Sequence, residues 1–143
     1  MILANNFVGP DEEPGRLFVS RMLTPLFQIL RNVASNHEHQ TPDSLKLLIL
    51  TMHNTNISNI LRALTYWDTH GYKKFSRFNS SIRLELVKKT TKMGLQVRYF
   101  VRIIYDEEEV SLPQVCGRQQ GFGNLCPLES FIAFLESTLI TDQ

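Results

Sequence analysis

The stretch LKLLILTMHNTNI, residues 45–57, decides how the rest of the chain is interpreted. A short apolar run, Leu45–Leu50, is followed at once by polar residues and then by a helix-like pattern. Such a run is typical of a β-strand that is buried on both faces, as in a parallel sheet. Parallel sheets carry their reactive groups where a strand ends and the next helix begins. His53 is therefore the first candidate site residue.

The residues after His53 have the composition of a helix start. A side-chain oxygen of Asn54, Thr55 or Asn56 can accept a free backbone N–H group and cap the helix that follows. Unpaired N–H groups and the positive end of the helix dipole favour an anion such as phosphate at this place. The sequence thus predicts a strand, a histidine and a helix N-terminus at one point.

Length, composition and charge limit the class of protein. The chain has 143 residues, of which 43% are hydrophobic, and its net charge is +1. This length predicts one domain with a sizeable core. So small a charge predicts no general attraction to nucleic acid or to a membrane. No segment approaches the ~20 apolar residues of a membrane-spanning helix. Residues 1–15 lack the pattern of a secretory signal, although a signal upstream of an internal fragment stays open.

The other segments predict a mixed α/β chain. We expect residues 1–15 to form a connector, because prolines and a glycine interrupt regular structure there, and residues 16–143 to form the folded lobe. Apolar residues at helical spacing predict helices at 16–35, where Pro25 divides or kinks the helix, at 56–64, and from Pro127 onward. Alternating patterns predict antiparallel strands at 80–89 and 96–105, and a short strand near 110–112.

Two groups of residues could suggest a metal, and neither is convincing. His37 and His39 lie in the polar stretch 36–44, where a solvated surface loop explains them more simply than a shared metal ion. Cys116 and Cys126 are close in sequence, but two cysteines alone do not make a metal site. We predict no metal and no cofactor.

Several segments, taken in order, resemble the C-terminal part of a histidine acid phosphatase, in branch 2 of the histidine phosphatase superfamily. The resemblance covers residues 16–138. It implies a histidine-phosphatase-like sandwich with one buried parallel-type strand, an antiparallel pair and flanking helices. The matching pieces are the strand that ends in Met52-His53-Asn54-Thr55-Asn56, then Leu61–Leu64, Asn79–Leu86, Val101–Tyr105 and Leu112–Phe131.

The chain departs from this family at two points. The family's nucleophile is the histidine of an Arg-His-Gly-x-Arg-x-Pro motif, and the sequence contains no Arg-His pair. The family's second motif is His-Asp, whose aspartate protonates the leaving oxygen, and Asn54 stands at that position here. A carboxamide cannot act as a general acid, and loss of such an acid costs ~10²–10⁴-fold in rate. Loss of the nucleophile removes the covalent route.

The resemblance therefore implies half of a phosphate site. His53 would contact phosphate, Asn54 would occupy the general-acid position without acting as an acid, and Thr55 and Asn56 would hold the helix start. We expect a catalytically incomplete chain that needs a complementary N-terminal phosphatase segment for its nucleophile. The alternative is a degenerate, non-enzymatic subunit with a structural or assembly role among other subunits. An asparagine introduced deliberately in place of aspartate is a third explanation, and none of the three predicts catalysis by this chain alone.

The missing half has a consequence for the strand at 45–50. In the family, that half supplies the central strand that bears the nucleophile. Without it, the segment would leave an open apolar edge, and open edges seek partners.

The cysteine pair also fits the family as a disulfide. The loop between Cys116 and Cys126 contains Gly117, Gly121 and Gly123, which make it flexible enough to reach disulfide geometry. The bridge would contribute up to ~3 kcal/mol in the chain-entropy model. It would suit a secretory, lysosomal or extracellular location. Two free buried thiols in a cytosolic chain are the alternative.

Overall fold

The computed structural model describes residues 13–38, 45–64, 76–90, 93–94, 96–116 and 124–138. These residues form a mixed α/β structure with three helices longer than one turn, one four-residue helix and a four-stranded antiparallel sheet. The helices are α1 (Glu13–Glu38), α2 (Asn54–Ala63), α3 (Pro113–Cys116) and α4 (Leu128–Thr138). The strands are β1 (Ile82–Thr90), β2 (Val97–Tyr105), β3 (Glu108–Glu109) and β4 (Cys126–Pro127).

Strands β1 and β2 form the predicted antiparallel pair. All nine residues of β1 pair with β2, from Ile82 opposite Tyr105 to Thr90 opposite Val97. Gly94, in the connection, has a φ of 67°, which glycine adopts at little cost. Both β3 and β4 pair with β2, so β1 lies at the end of the described sheet.

The short strand predicted near residues 110–112 is wrong. The short strand that follows β2 is β3, at Glu108–Glu109, and it pairs back on β2. Asp106 and Glu107 reverse the chain with φ values of 47° and 71°, so pairing resumes directly after them. Val110 and Leu112 are instead buried in the core, where they are 4% and 3% exposed.

The core lies between the sheet and helices α1 and α4. In α4, the buried residues recur at positions i, i+3, i+4 and i+7, the spacing that places side chains on one helix face. They are Leu128, Phe131, Ile132 and Leu135. They belong to one cluster with buried residues of α1 and β2, among them Val19, Leu23, Phe27, Val101 and Ile103. Burial of each such side chain is worth about 1.5–3 kcal/mol.

Helix α1 is longer than predicted and runs through Pro25 without division. Val19 and Leu23 precede Pro25, Phe27 follows it, and all three are buried in the core. Packing of this helix face offsets the loss of the backbone hydrogen bond that proline cannot donate. The predicted connector is also wrong at residues 13–15, which lie in the first turn of α1, where proline is tolerated. Residues 1–12 of that connector lie outside the described residues.

The predicted buried parallel-type strand is also wrong. Residues 45–53 belong to no helix or sheet. The apolar side chains of Leu45–Leu50 are between 43% and 74% exposed. A parallel strand is buried only when it has neighbours at its edges and cover on its faces. Within the described part of the chain, no strand pairs with this segment, so its apolar run lacks the edge neighbours that would bury it.

The polar stretch 36–44 begins inside α1, which ends at Glu38, so the prediction of a loop is wrong for His37. His39 lies outside the described residues. No group of three or more metal-ligating side chains occurs among the residues that the structure describes.

The disulfide between Cys116 and Cys126 is confirmed, and the alternative of two free thiols is wrong. The two Cα atoms lie 4.9 Å apart, within the usual range for a bridge. The bridge joins the end of α3 to β4, and its Cys126 is 1% exposed. Because Pro127 belongs to β4, the last helix begins one residue later than predicted, at Leu128.

None of the described helices is long and apolar enough to span a membrane.

Candidate functional site

A wide groove of about 1310 Å³ opens between α1, residues 45–54, α2 and residues 77–88. Its walls are largely apolar, with side chains from α1, from residues 45–52 and from β1. His53, Asn54 and Arg77 add polar groups to its lining. The groove therefore contains the two residues that the sequence selects first, His53 and Asn54.

His53 lies at the N-terminus of α2 as its N-cap residue, with an extended backbone at φ −77° and ψ 156°. Its carbonyl oxygen accepts hydrogen bonds from the N–H groups of Asn56 at 3.0 Å and Ile57 at 3.3 Å. Its own side chain makes no capping hydrogen bond. The imidazole is exposed, so it can reach a ligand in the groove beside the positive end of a ten-residue helix.

The predicted caps are therefore wrong. Because helix α2 begins at Asn54, Thr55 and Asn56 lie inside its first turn and do not cap it. Asn54 is the first helical residue, and its side-chain N–H group donates to another segment of the chain. All three residues lie in the first turn of α2, and the cap position belongs to His53.

Asn54 is tied to Ser76 by two hydrogen bonds. The Asn54 Nδ2 donates to the Ser76 carbonyl oxygen at 3.4 Å. The Ser76 Oγ donates to the Asn54 carbonyl oxygen at 2.6 Å. The Ser76 N–H donates to the Ser58 Oγ at 2.8 Å, and the two serine hydroxyls lie 3.2 Å apart. These contacts join the first turns of α2 to the segment that leads into β1.

This network uses a property of Asn54 that an aspartate lacks. An ionised carboxylate has only acceptor oxygens, whereas the carboxamide also has two N–H donors. A charged carboxylate at position 54 would place an oxygen beside the Ser76 carbonyl oxygen. Only a protonated carboxyl could make the same donation. The amide at position 54 therefore suits a structural contact and supplies no proton.

Charged side chains from β1 and β2 line another part of the groove. Glu85 lies directly opposite Arg102, whose Nε donates to the Glu85 Oε2 at 2.8 Å. Arg83 contacts the other oxygen of Glu85 at 2.8 Å, and Arg102 also reaches Glu109 at 3.4 Å. The hydrogen bond from Arg102, together with the nearby positive charges, lowers the pKa of Glu85, although partial desolvation opposes this shift. Glu85 is thus held as an anion and does not suit the role of a proton donor.

The positive end of α2 beside His53 favours negative charge at this place. Among the described residues of the groove, no two form a nucleophile and a general base. Sequence reasoning found His53 and Asn54 and missed Ser58, Ser76 and the Glu85–Arg102 pair. One signal for Ser58 existed, because it lies among Ile57, Ile60 and Leu61 on the buried face of α2. A polar residue on such a face must find a partner. The partner, Ser76, lies 18 residues away.

No model of a known protein family matches this chain, and neither the curated proteins nor the solved structures contain a significant match. The resemblance to histidine acid phosphatases stays a prediction that depends on the ordered segments of the sequence.

Proposed function

We propose that this chain is a catalytically incomplete, histidine acid phosphatase-like lobe that carries one half of a phosphate site. On this proposal the described α/β structure is the C-terminal portion of a histidine-phosphatase-like sandwich. A complementary N-terminal phosphatase segment supplies the nucleophile and the arginines that hold phosphate. The chain alone hydrolyses no phosphomonoester.

One observation carries the proposal: an exposed His53 at the start of α2, in a groove that is open to a partner. The helix N-terminus and the imidazole favour an anion at the same place. Arg77, also in the groove lining, adds a positive charge. The apolar walls of the groove provide the surface that a second segment would cover.

A second function is favoured by the contacts of Asn54. Its amide donates to the Ser76 carbonyl oxygen, a role that holds the fold together and needs no acid chemistry. This is what a degenerate subunit with a structural or assembly role would retain. The disulfide supports a secretory, lysosomal or extracellular location for either form, because disulfides persist in oxidising compartments.

The experiment joins this chain with a segment that contains an Arg-His-Gly-x-Arg-x-Pro motif. We expect inorganic phosphate to protect His53 from modification by diethyl pyrocarbonate in the mixture and not in the chain alone. Mass spectrometry of the peptide that contains His53 measures the protection. Equal modification of His53 with and without phosphate in an assembled mixture would contradict the split site and leave the structural role.

The matched variants Asn54→Asp and Thr55→Asp then test the acid position. In an assembled, phosphate-binding mixture, Asn54→Asp should raise phosphomonoesterase turnover by up to about 10²–10⁴-fold, because a carboxyl that turns away from the Ser76 carbonyl oxygen supplies the missing acid. Thr55→Asp adds the same carboxyl one residue away and should leave turnover unchanged. Appreciable turnover of the unsubstituted native assembly would contradict both proposed functions, since each assumes that Asn54 is inactive as an acid.

A further inference from the structure

The sequence contains two motifs of the form Asn-x-Ser/Thr without proline at x, which is the acceptor pattern for N-linked glycans in secreted proteins. They are Asn56-Ile57-Ser58 and Asn79-Ser80-Ser81. Three residues alone recur by chance, so such a motif needs a suitable structural setting, a surface loop. The two motifs differ in exactly this respect: one lies in a helix and the other in a turn.

Asn79 lies in an exposed turn that leads into β1. The Ser80 N–H donates to the Arg77 carbonyl oxygen across this turn at 3.3 Å. The φ of Asn79 is 66°, in the left-handed region that asparagine tolerates better than most residues. Even the neighbouring Phe78 is 88% exposed. The side chain of Asn79 takes part in no hydrogen bond among the described residues, so its amide nitrogen is accessible to an enzyme.

Asp106 holds the backbone of this motif in place. The Ser81 N–H donates to the Asp106 Oδ1 at 2.9 Å, and the Ser80 hydroxyl donates to the Asp106 Oδ2 at 2.9 Å. The Asp106 N–H donates in return to the Ser81 carbonyl oxygen at 3.1 Å. These contacts use neither the Asn79 amide nor the hydroxyl of the exposed Ser81. The two side chains that define the acceptor motif are therefore the ones that this network leaves accessible.

The other motif lies in α2 and faces the core. Asn56 is half-buried in the first turn of the helix, and Ser58 is 0% exposed. The Ser58 Oγ accepts a hydrogen bond from the Ser76 N–H at 2.8 Å. A glycan is bulky and belongs on a surface, so a glycan on Asn56 would disturb this packing. We expect Asn56 to be unmodified in the folded chain.

We propose that Asn79 carries an N-linked glycan. The donor is an oligosaccharide joined to a polyprenyl diphosphate, and the catalyst is an oligosaccharyltransferase of the secretory pathway. The Asn79 Nδ2 attacks the anomeric carbon of the first sugar. A C–N bond forms, and the bond from that carbon to the diphosphate oxygen breaks. The polyprenyl diphosphate leaves with the electron pair of that bond, and the proton lost from Nδ2 passes to solvent.

The glycan would also limit how the groove is covered. Asn79 is exposed and contributes to the groove lining. A hydrophilic glycan on it keeps this part of the groove in water. A segment that covers the apolar walls must then leave the turn at residues 77–80 accessible. The inference rests on the secretory location proposed above, and it does not depend on phosphate at His53.

The test expresses the whole chain behind a cleavable secretory signal in animal cells and compares two variants of one exposed residue. Ser81→Thr keeps the motif and Ser81→Ala destroys it, whereas both keep Asn79 and the backbone contacts of residue 81. We expect peptide N-glycosidase F to increase the gel mobility of the unsubstituted chain and of Ser81→Thr. The alanine variant should already migrate at the deglycosylated position and should not respond to the enzyme.

Mass spectrometry then locates the glycan. Release by the glycosidase in water labelled with heavy oxygen converts a glycosylated asparagine into labelled aspartate. We expect the label at Asn79 and not at Asn56. Detection of the disulfide between Cys116 and Cys126 in the same digest shows that the chain has folded in an oxidising compartment.

Three results would overturn the proposal. The first is an unlabelled Asn79 in the secreted, disulfide-bonded chain. The second is a label at Asn56 in place of Asn79. The third is an unlabelled Asn79 in the protein isolated from the cells that make it, when the chain directed into the secretory pathway is labelled. This third result would mean that the secretory location is wrong, and it would leave the protection of His53 by phosphate to its own test.

Discussion

Strand β2 and the segment Leu45–Leu50 are both rich in apolar residues, and they have opposite environments. In β2, Phe100 and Val101 are fully buried and Ile103 is 2% exposed. In the segment, Leu47 and Ile49 are 73% and 74% exposed. The difference is that β2 has strands on both edges and packs against helices on one face, whereas no described strand pairs with the segment. Apolar composition predicts a need for burial, and only neighbours satisfy it.

The largest expected effect comes from replacing one isoleucine by alanine in each of the two regions and comparing the loss of stability. Ile103→Ala should lower the free energy of unfolding by about 2–5 kcal/mol, because it leaves a cavity in the core. Ile49→Ala removes the same atoms from an exposed position and should change stability by less than about 0.5 kcal/mol. Urea unfolding followed by circular dichroism measures both variants. Similar losses for the two would mean that residues 45–50 are buried in solution.

The disulfide should stabilise the β2 region more than the segment. Replacement of Cys116 and Cys126 by alanine should cost about 2–3 kcal/mol in the chain-entropy model, because the unfolded chain gains freedom. Amide exchange should become faster in β2 and stay unchanged at residues 45–50. Reductant is the control: it should destabilise the unsubstituted chain and leave the double variant as it was. A stability that does not respond to either change would mean that the bridge adds nothing to this fold.

The Ser76 contacts hold α2, and with it the end of the segment at His53. Ser76→Ala should cost about 1–3 kcal/mol, because it removes a buried hydroxyl that donates to the Asn54 carbonyl oxygen and contacts the Ser58 hydroxyl. Ser137→Ala removes an exposed hydroxyl that donates to the Phe134 carbonyl oxygen of its own helix, and its effect should stay within about 0.5 kcal/mol. Denaturant midpoints compare the two. Equal losses of stability in the two variants would mean that the Ser76 contacts stabilise the fold no more than an exposed hydrogen bond does.

The smallest expected effect is a pH dependence from Glu85. Its pKa is lowered in the folded chain by Arg102, so the folded state favours the carboxylate more than the unfolded state does. The stabilisation is present above the ordinary pKa of about 4.3 and is lost as the pH falls through the lowered value. The urea midpoint of the unsubstituted chain should therefore fall from neutral to acid pH. Glu85→Gln should make this fall smaller, because it removes the contribution of the Glu85 carboxylate.

Glu107→Gln is the matched control, because Glu107 is an exposed turn residue with no ion pair among the described residues. It should keep the pH dependence of the unsubstituted chain. The same acid response in Glu85→Gln as in the unsubstituted chain would mean that the contact with Arg102 contributes nothing measurable.

The sequence predicted the elements whose pattern repeats along the chain. The alternation in β1 and β2, and the spacing of Leu128, Phe131, Ile132 and Leu135 in α4, are local signals of which face is buried. The proximity of Cys116 and Cys126, read beside the resemblance, indicated the disulfide. The position of His53 at the start of a helix also followed from local composition. Each of these depends on residues that are neighbours in the sequence.

The tertiary structure decided what depends on distant parts of the chain. Leu45–Leu50 has the composition of a buried strand and stays exposed, because burial needs neighbours that the described residues do not provide. The sequence suggests Asn54 as a helix cap. Its amide instead donates to the carbonyl oxygen of Ser76, which lies 22 residues away. Glu85 meets Arg102 only through the register of the two strands. Local sequence specifies which side chains need a partner, and the three-dimensional packing determines whether and where they find one.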